Sequence, residues 1–91
     1  MNGQAMRNFI QDVYGKTELP DDAESKINQI LHDLSDREEI IVRSYFGLND
    51  EKKTLTELAH GFGISPQRVS QMKVLACKKL RHPARAKVLF G

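Results

Sequence analysis

Apolar residues recur at helical spacing along most of this chain, and nowhere do they alternate over the length of a strand. Ile27, Ile30, Leu31 and Leu34 form one such stripe, with Asp21 or Asp22 placed to cap its start. Ser35-Asp36-Arg37-Glu38 is a capping box: the Ser hydroxyl serves the N–H three residues on, and the Glu carboxylate reaches back to the Ser N–H. It opens a second helix carrying Ile40, Ile41, Val42, Tyr45 and Phe46, with Gly47 as its stop. Thr54-Leu55-Thr56-Glu57 is another box and opens a short third helix through about Gly61. Ser65 followed by Pro66 starts a fourth, since Pro has no N–H to satisfy at the first helical position. That helix runs to about Arg81 and stops before Pro83, because the residue preceding a proline avoids helical backbone. Four helices with short loops predict an all-α domain over residues 21–85. Residues 1–20 hold two Gly, a Pro and weak periodicity, and read as a linker or arm with a short helical piece around Met6 to Val13. Residues 86–91 read as a tail.

The third and fourth helices fit a more restrictive template. A helix-turn-helix needs apolar residues where its helices face each other, a small residue at their closest approach, and a flexible one in the turn. Leu55, Leu58, Phe62, Ile64, Val69 and Met72 supply the first, Ala59 the second and Gly63 the third. A plain helical hairpin needs only the apolar period, so the joint placement of Ala59, Gly63 and Ile64 favours the motif. Pro66 to about Arg81 is then a recognition helix with its N-terminal end aimed into a major groove. Gln67, Arg68, Ser70 and Gln71 are the candidate base-reading residues. The Gln71 amide suits an adenine edge, and Arg68 suits a guanine or a phosphate. Lys73, Lys78, Lys79, Arg81 and Arg85 are the candidate phosphate contacts.

Charge supports that division. The net +2 conceals five Lys/Arg against ten Asp/Glu from Met1 to Asp50, a balance of −5, and nine against two from Glu51 to Gly91, a balance of +7. The acidic half repels phosphate, so contact with nucleic acid is expected on one side only. Other chemistry is sparse. His32, His60 and His82 lack partners at metal spacing and are expected in surface or capping roles, and Cys77 in packing. Asp21, Asp22 and Glu24 suit the positive end of a helix dipole. No phosphate loop, catalytic constellation or cofactor motif is found, which argues against an enzyme. No apolar run approaches the roughly 20 residues of a membrane span, and no secretory signal opens the chain. A single Cys fits a reducing cytoplasm, and a monomer is expected.

Leu34-Ser35-Asp36-Arg37-Glu38, Tyr45-Phe46-Gly47-Leu48, Thr54-Leu55-Thr56-Glu57-Leu58 and Lys79-Leu80-Arg81-His82-Pro83-Ala84-Arg85, in that order, resemble region 4 of bacterial RNA polymerase sigma factors of the sigma-70 type. The resemblance spans roughly Pro20 to Arg85, and Asn8-Phe9-Ile10-Gln11-Asp12 looks like the acidic linker that precedes the region. It implies a domain that reads the −35 element of double-stranded promoter DNA while docking on the β flap of the RNA polymerase core. Ile40, Ile41, Tyr45 and Phe46, with Val42, exceed one apolar stripe, and the first four are the expected flap contacts. An anti-sigma factor is a further candidate partner. Arg68 and Gln71 match the family pattern, but Pro66, Gln67 and Ser70 stand where it has Arg, Glu and Arg, and Tyr45 where it commonly has Arg. The usual hexamer sequence is therefore not assumed for this chain. The region that melts DNA and grips the core enzyme is absent from the sequence, which suits either an excised domain or a small stand-alone relative. Two alternatives stay open: a sigma-like interaction module with little DNA affinity, and the DNA-binding tail of an enzyme such as a recombinase.

Overall fold

The computed structural model describes residues 1–49 and 51–91, which form six α-helices and, among the described residues, no strand. They are α1 (Gly3–Tyr14), α2 (Ala23–Leu31), α3 (Asp36–Phe46), α4 (Leu55–Phe62), α5 (Pro66–Leu80) and α6 (Pro83–Phe90). The four expected helices are α2 to α5. Both capping boxes close, Ser35 with Glu38 and Thr54 with Glu57, and the Ser65 side chain accepts from the Arg68 N–H at 3.1 Å. Asp22 occupies the cap position of α2 in left-handed backbone, φ 55°, and its side chain makes no capping bond. α2 also ends earlier than the Leu34 stripe implies. The Asp33 and Leu34 N–H groups bond three residues back, to Ile30 and Leu31, which tightens the last turn while leaving Leu34 in the core.

The ends of the chain differ from expectation. Residues 1–20, expected to be a linker or arm, instead contain a twelve-residue helix. The Asn2 side chain caps α1 by accepting from the Gln4 and Ala5 N–H groups, and Gly15 ends it at φ 67°. Gly3 and Gly15 thus bound the helix, and Phe9, Ile10 and Val13 give it one buried face. The C-terminal tail expected over residues 86–91 is mostly helical as well. Pro83, read as a stop for α5, is also the first residue of α6, capped by His82 Nδ1 accepting from the Ala84 N–H at 3.2 Å. Leu89 anchors α6 in the core.

Two apolar clusters hold these elements. The larger unites α1, α2, α3, the C-terminal half of α5, and α6 through residues such as Phe9, Ile27, Leu31, Val42, Leu80 and Leu89. Phe9 meets Phe46 edge-on at 5.3 Å between ring centroids. The Tyr14 hydroxyl donates to the Leu80 carbonyl at 2.7 Å, and burial pushes its pKa well above the ordinary tyrosine value. The smaller cluster contains Ile41, Leu58, Ala59 and Val69, with Tyr45, Leu55, Phe62, Ile64 and Met72 against it. Every apolar position assigned to the helix-turn-helix lies in this second cluster. Gly63 closes the turn at φ 68°. Its N–H reaches the His60 carbonyl, and the Ile64 N–H reaches Ala59, the Schellman pattern that satisfies the end of a helix. α5 is consequently held against both α3 and α4, with its remaining face outward.

A candidate nucleic-acid interface

Residues 67, 71, 74 and 78 follow one another at intervals of four, three and four, so they lie along one face of α5. Gln67, Gln71, Val74 and Lys78 occupy that line, with Arg68 and Leu75 on one flank and Ser70 and Arg81 on the other. Val69, Met72, Ala76, Cys77 and Leu80 take the inward face. Burial pushes the Cys77 thiol up, against the pull of nearby Lys73 and Arg81. Gln67, Arg68 and Gln71 are exposed and Ser70 is half-buried. Arg68 Nη1 points at Gln71 Oε1, 3.5 Å away, so the candidate base-reading group is clustered at the free N-terminal end. α5 contains no Asp or Glu, and nothing on it repels an incoming phosphate.

The five candidate phosphate cations divide into two groups. Lys79 Nζ lies 2.9 and 3.0 Å from the two carboxylate oxygens of Glu38. Arg85 donates to Asp33 at 3.2 Å and to the Lys79 carbonyl at 3.2 Å. Lys73 sits 4.0 Å from the centre of the Tyr45 ring, a cation–π distance. These three are engaged within the domain. Lys78 and Arg81 are exposed and form no ion pair among the described residues.

Glu38 is the functional neighbour that sequence reasoning missed. It is 7% exposed and serves two elements at once. One of its oxygens accepts from the Ser35 N–H and hydroxyl at 3.1 and 3.0 Å, completing the α3 cap, while both accept from Lys79 on α5. Burial alone would raise its pKa, but the bonds from Lys79 and Ser35 outweigh that and hold the carboxyl below the usual range. The capping box signalled the first role. Nothing in local sequence signals the second, because the partners are 41 residues apart.

The expected flap surface requires correction. Ile41 is 0% exposed and Phe46 is buried; both are core residues, Ile41 against the helix-turn-helix and Phe46 against Phe9. Of the four, only Ile40 is exposed and Tyr45 is half-buried beneath Lys73. The apolar surplus of α3 exists because α3 lies between two clusters and must serve both. Among the described residues, no helix is long and apolar enough to cross a membrane.

Comparison with known proteins is consistent with this geometry. Residues 30–82, more than half of the chain, match the family described as Sigma-70, region 4. Among curated relatives, the chain is similar to the RNA polymerase sigma factor SigA of Listeria monocytogenes serovar 1/2a and to that of Listeria innocua serovar 6a. Each is 42% identical over 65 residues, covering 70% of this chain. The match spans only 17% of the length of either relative.

Proposed function

The chain belongs to the sigma-70 region 4 family, and on that premise we propose that it binds double-stranded promoter DNA at the −35 element. In this reading α5 enters the major groove, with Gln67, Arg68, Ser70 and Gln71 at base edges and Lys78 and Arg81 on phosphates. The observation that carries the proposal is the outward face of α5, which is free of acidic residues and clusters Arg68 with Gln71 at its capped end. Lys73, Lys79 and Arg85 join the phosphate contacts only by leaving partners within the domain. Docking on the β flap of RNA polymerase core completes the proposal and supplies, by tethering, effective concentration that one small domain lacks alone. Ile40 and Tyr45 are the members of the proposed flap surface that a partner can reach.

A second reading, an interaction module for the flap or an anti-sigma factor with little DNA affinity, is favoured by the engagement of three basic side chains within the domain. Selection from random duplexes at low salt, with and without the purified flap, separates the two. Enrichment of one sequence is expected, strengthened by the flap. Uniform recovery of all duplexes under both conditions would leave only the interaction module.

A further inference from the structure

The outward face of α5 is not uniformly polar. Val74 is 55% exposed and Leu75 50% exposed; Val74 lies in the line that begins at Gln67 and Gln71, and Leu75 on its flank beside Arg68. They line one shallow groove with Arg68, Ser70 and Gln71. Leu75 also borders a second groove with Lys78, Lys79, Arg81, His82 and Arg85. Neither side chain belongs to either core cluster, so folding does not account for two large apolar groups at these positions.

We propose that Val74 and Leu75 are specificity-determining residues that recognise the C5-methyl groups of thymine in the major groove. The inference rests on the reading that α5 enters that groove. Each side chain follows Gln71 by three or four residues, about 4.5 and 6 Å along the helix axis. With α5 in the groove, a span of that size reaches the base pairs next to the one facing Gln71, since successive pairs are about 3.4 Å apart. In the major groove the only apolar feature a base edge offers is the thymine methyl. The cations around the pair favour duplex DNA over an apolar protein surface: Arg68 lies on one side, and Lys78 and Arg81 on the other. The site read by this chain should therefore carry A·T pairs immediately beside the pair that Gln71 reads.

The test uses the full chain and the duplex recovered by random selection, with thymine replaced by uracil one position at a time. The swap removes a methyl and preserves every hydrogen-bonding group. Wild type is expected to bind about threefold to fourfold more weakly at one or two adjacent positions, the equivalent of one buried methyl each. Val74→Ser and Leu75→Ser, at exposed sites where folding is checked by circular dichroism, should each bind the thymine and uracil duplexes alike at the position its own side chain covers, and the double variant at both. Equal binding of all uracil duplexes by wild type would overturn the inference and leave sequence reading by Gln71 intact. Failure to enrich any sequence would overturn the groove reading itself. If wild type ignores the methyls while the two Ser variants lose retention on purified RNA polymerase core, the pair faces protein and the inference also falls.

Discussion

At the scale of single residues, the same charge does different work depending on what lies within 3 Å of it. Lys79 satisfies a carboxylate that is almost wholly removed from water. Lys79→Ala leaves Glu38 with only Ser35 and should cost on the order of 1–2 kcal/mol, less than for a fully buried pair because Lys79 stays half exposed. Glu38 has a lowered folded pKa, so its contribution is fully present above the unfolded value of about 4.3 and lost as pH falls through the lower folded one. Urea unfolding should therefore separate Lys79→Ala from wild type at pH 7, with the gap narrowing as the pH falls below the usual carboxylate range. A gap that does not change with pH would mean that the pair contributes through packing of the Lys stem. Lys78, without such a partner among the described residues, is the better probe of phosphate contact. Lys78→Ala should weaken all duplexes alike and reduce the salt slope by about 1, whereas Gln71→Ala should cost about 1–3 kcal/mol on the selected site alone. A change of sequence preference in Lys78→Ala, with uniform weakening in Gln71→Ala, would mean that α5 docks in another orientation.

At the scale of elements, two glycines of α4 and its turn make a controlled comparison. A Cβ at Gly61 or at Gly63 meets nothing within 4 Å, so neither substitution clashes and backbone conformation alone decides. Gly63 is left-handed, and Gly63→Val should destabilise by on the order of 1–2 kcal/mol. Gly61 is helical, and Gly61→Ala should stabilise by about 0.5–1 kcal/mol. Opposite shifts in melting temperature are expected; shifts of the same sign would remove the assigned turn. These elements were legible in sequence because their signals are local: a Ser or Thr three residues before Glu, a Gly at the turn, an apolar period of three and four. Val74 and Leu75 drew no reading from the sequence, although both fall off the stripe set by Val69, Met72 and Ala76, and only the structure shows them exposed. α1 was not legible as a full helix because its glycines and Asn2 resemble breakers until their positions at the helix ends are known. Ile41 and Phe46 were misplaced for a different reason. Only the fold reveals that α3 has a second cluster to fill.

At the scale of the whole molecule, α1 lies outside the family match at residues 30–82, yet it is built into the same core. Phe9 and Ile10 are fully buried and Val13 nearly so, Phe9 packs on Phe46 of α3, and Tyr14 bonds to the last residue of α5. Loss of α1 therefore uncovers the elements that set the angle of α5, not a free edge. Burial of a large apolar side chain contributes about 1.5–3 kcal/mol, so removing three costs roughly as much as a small domain has in total. A chain comprising residues 16–91 should be largely unfolded, with exposed apolar surface and no sequence-selective DNA binding. Phe9→Ala in the full chain should be intermediate, at about 3–5 kcal/mol. Tyr14→Phe removes one hydrogen bond and keeps the ring, and should cost only about 1 kcal/mol. Urea unfolding followed by circular dichroism ranks the three, and duplex binding at low salt tests whether α5 stays in place. If residues 16–91 unfold at the same urea concentration as the full chain, α1 is an appended helix and α5 is held by the family core alone.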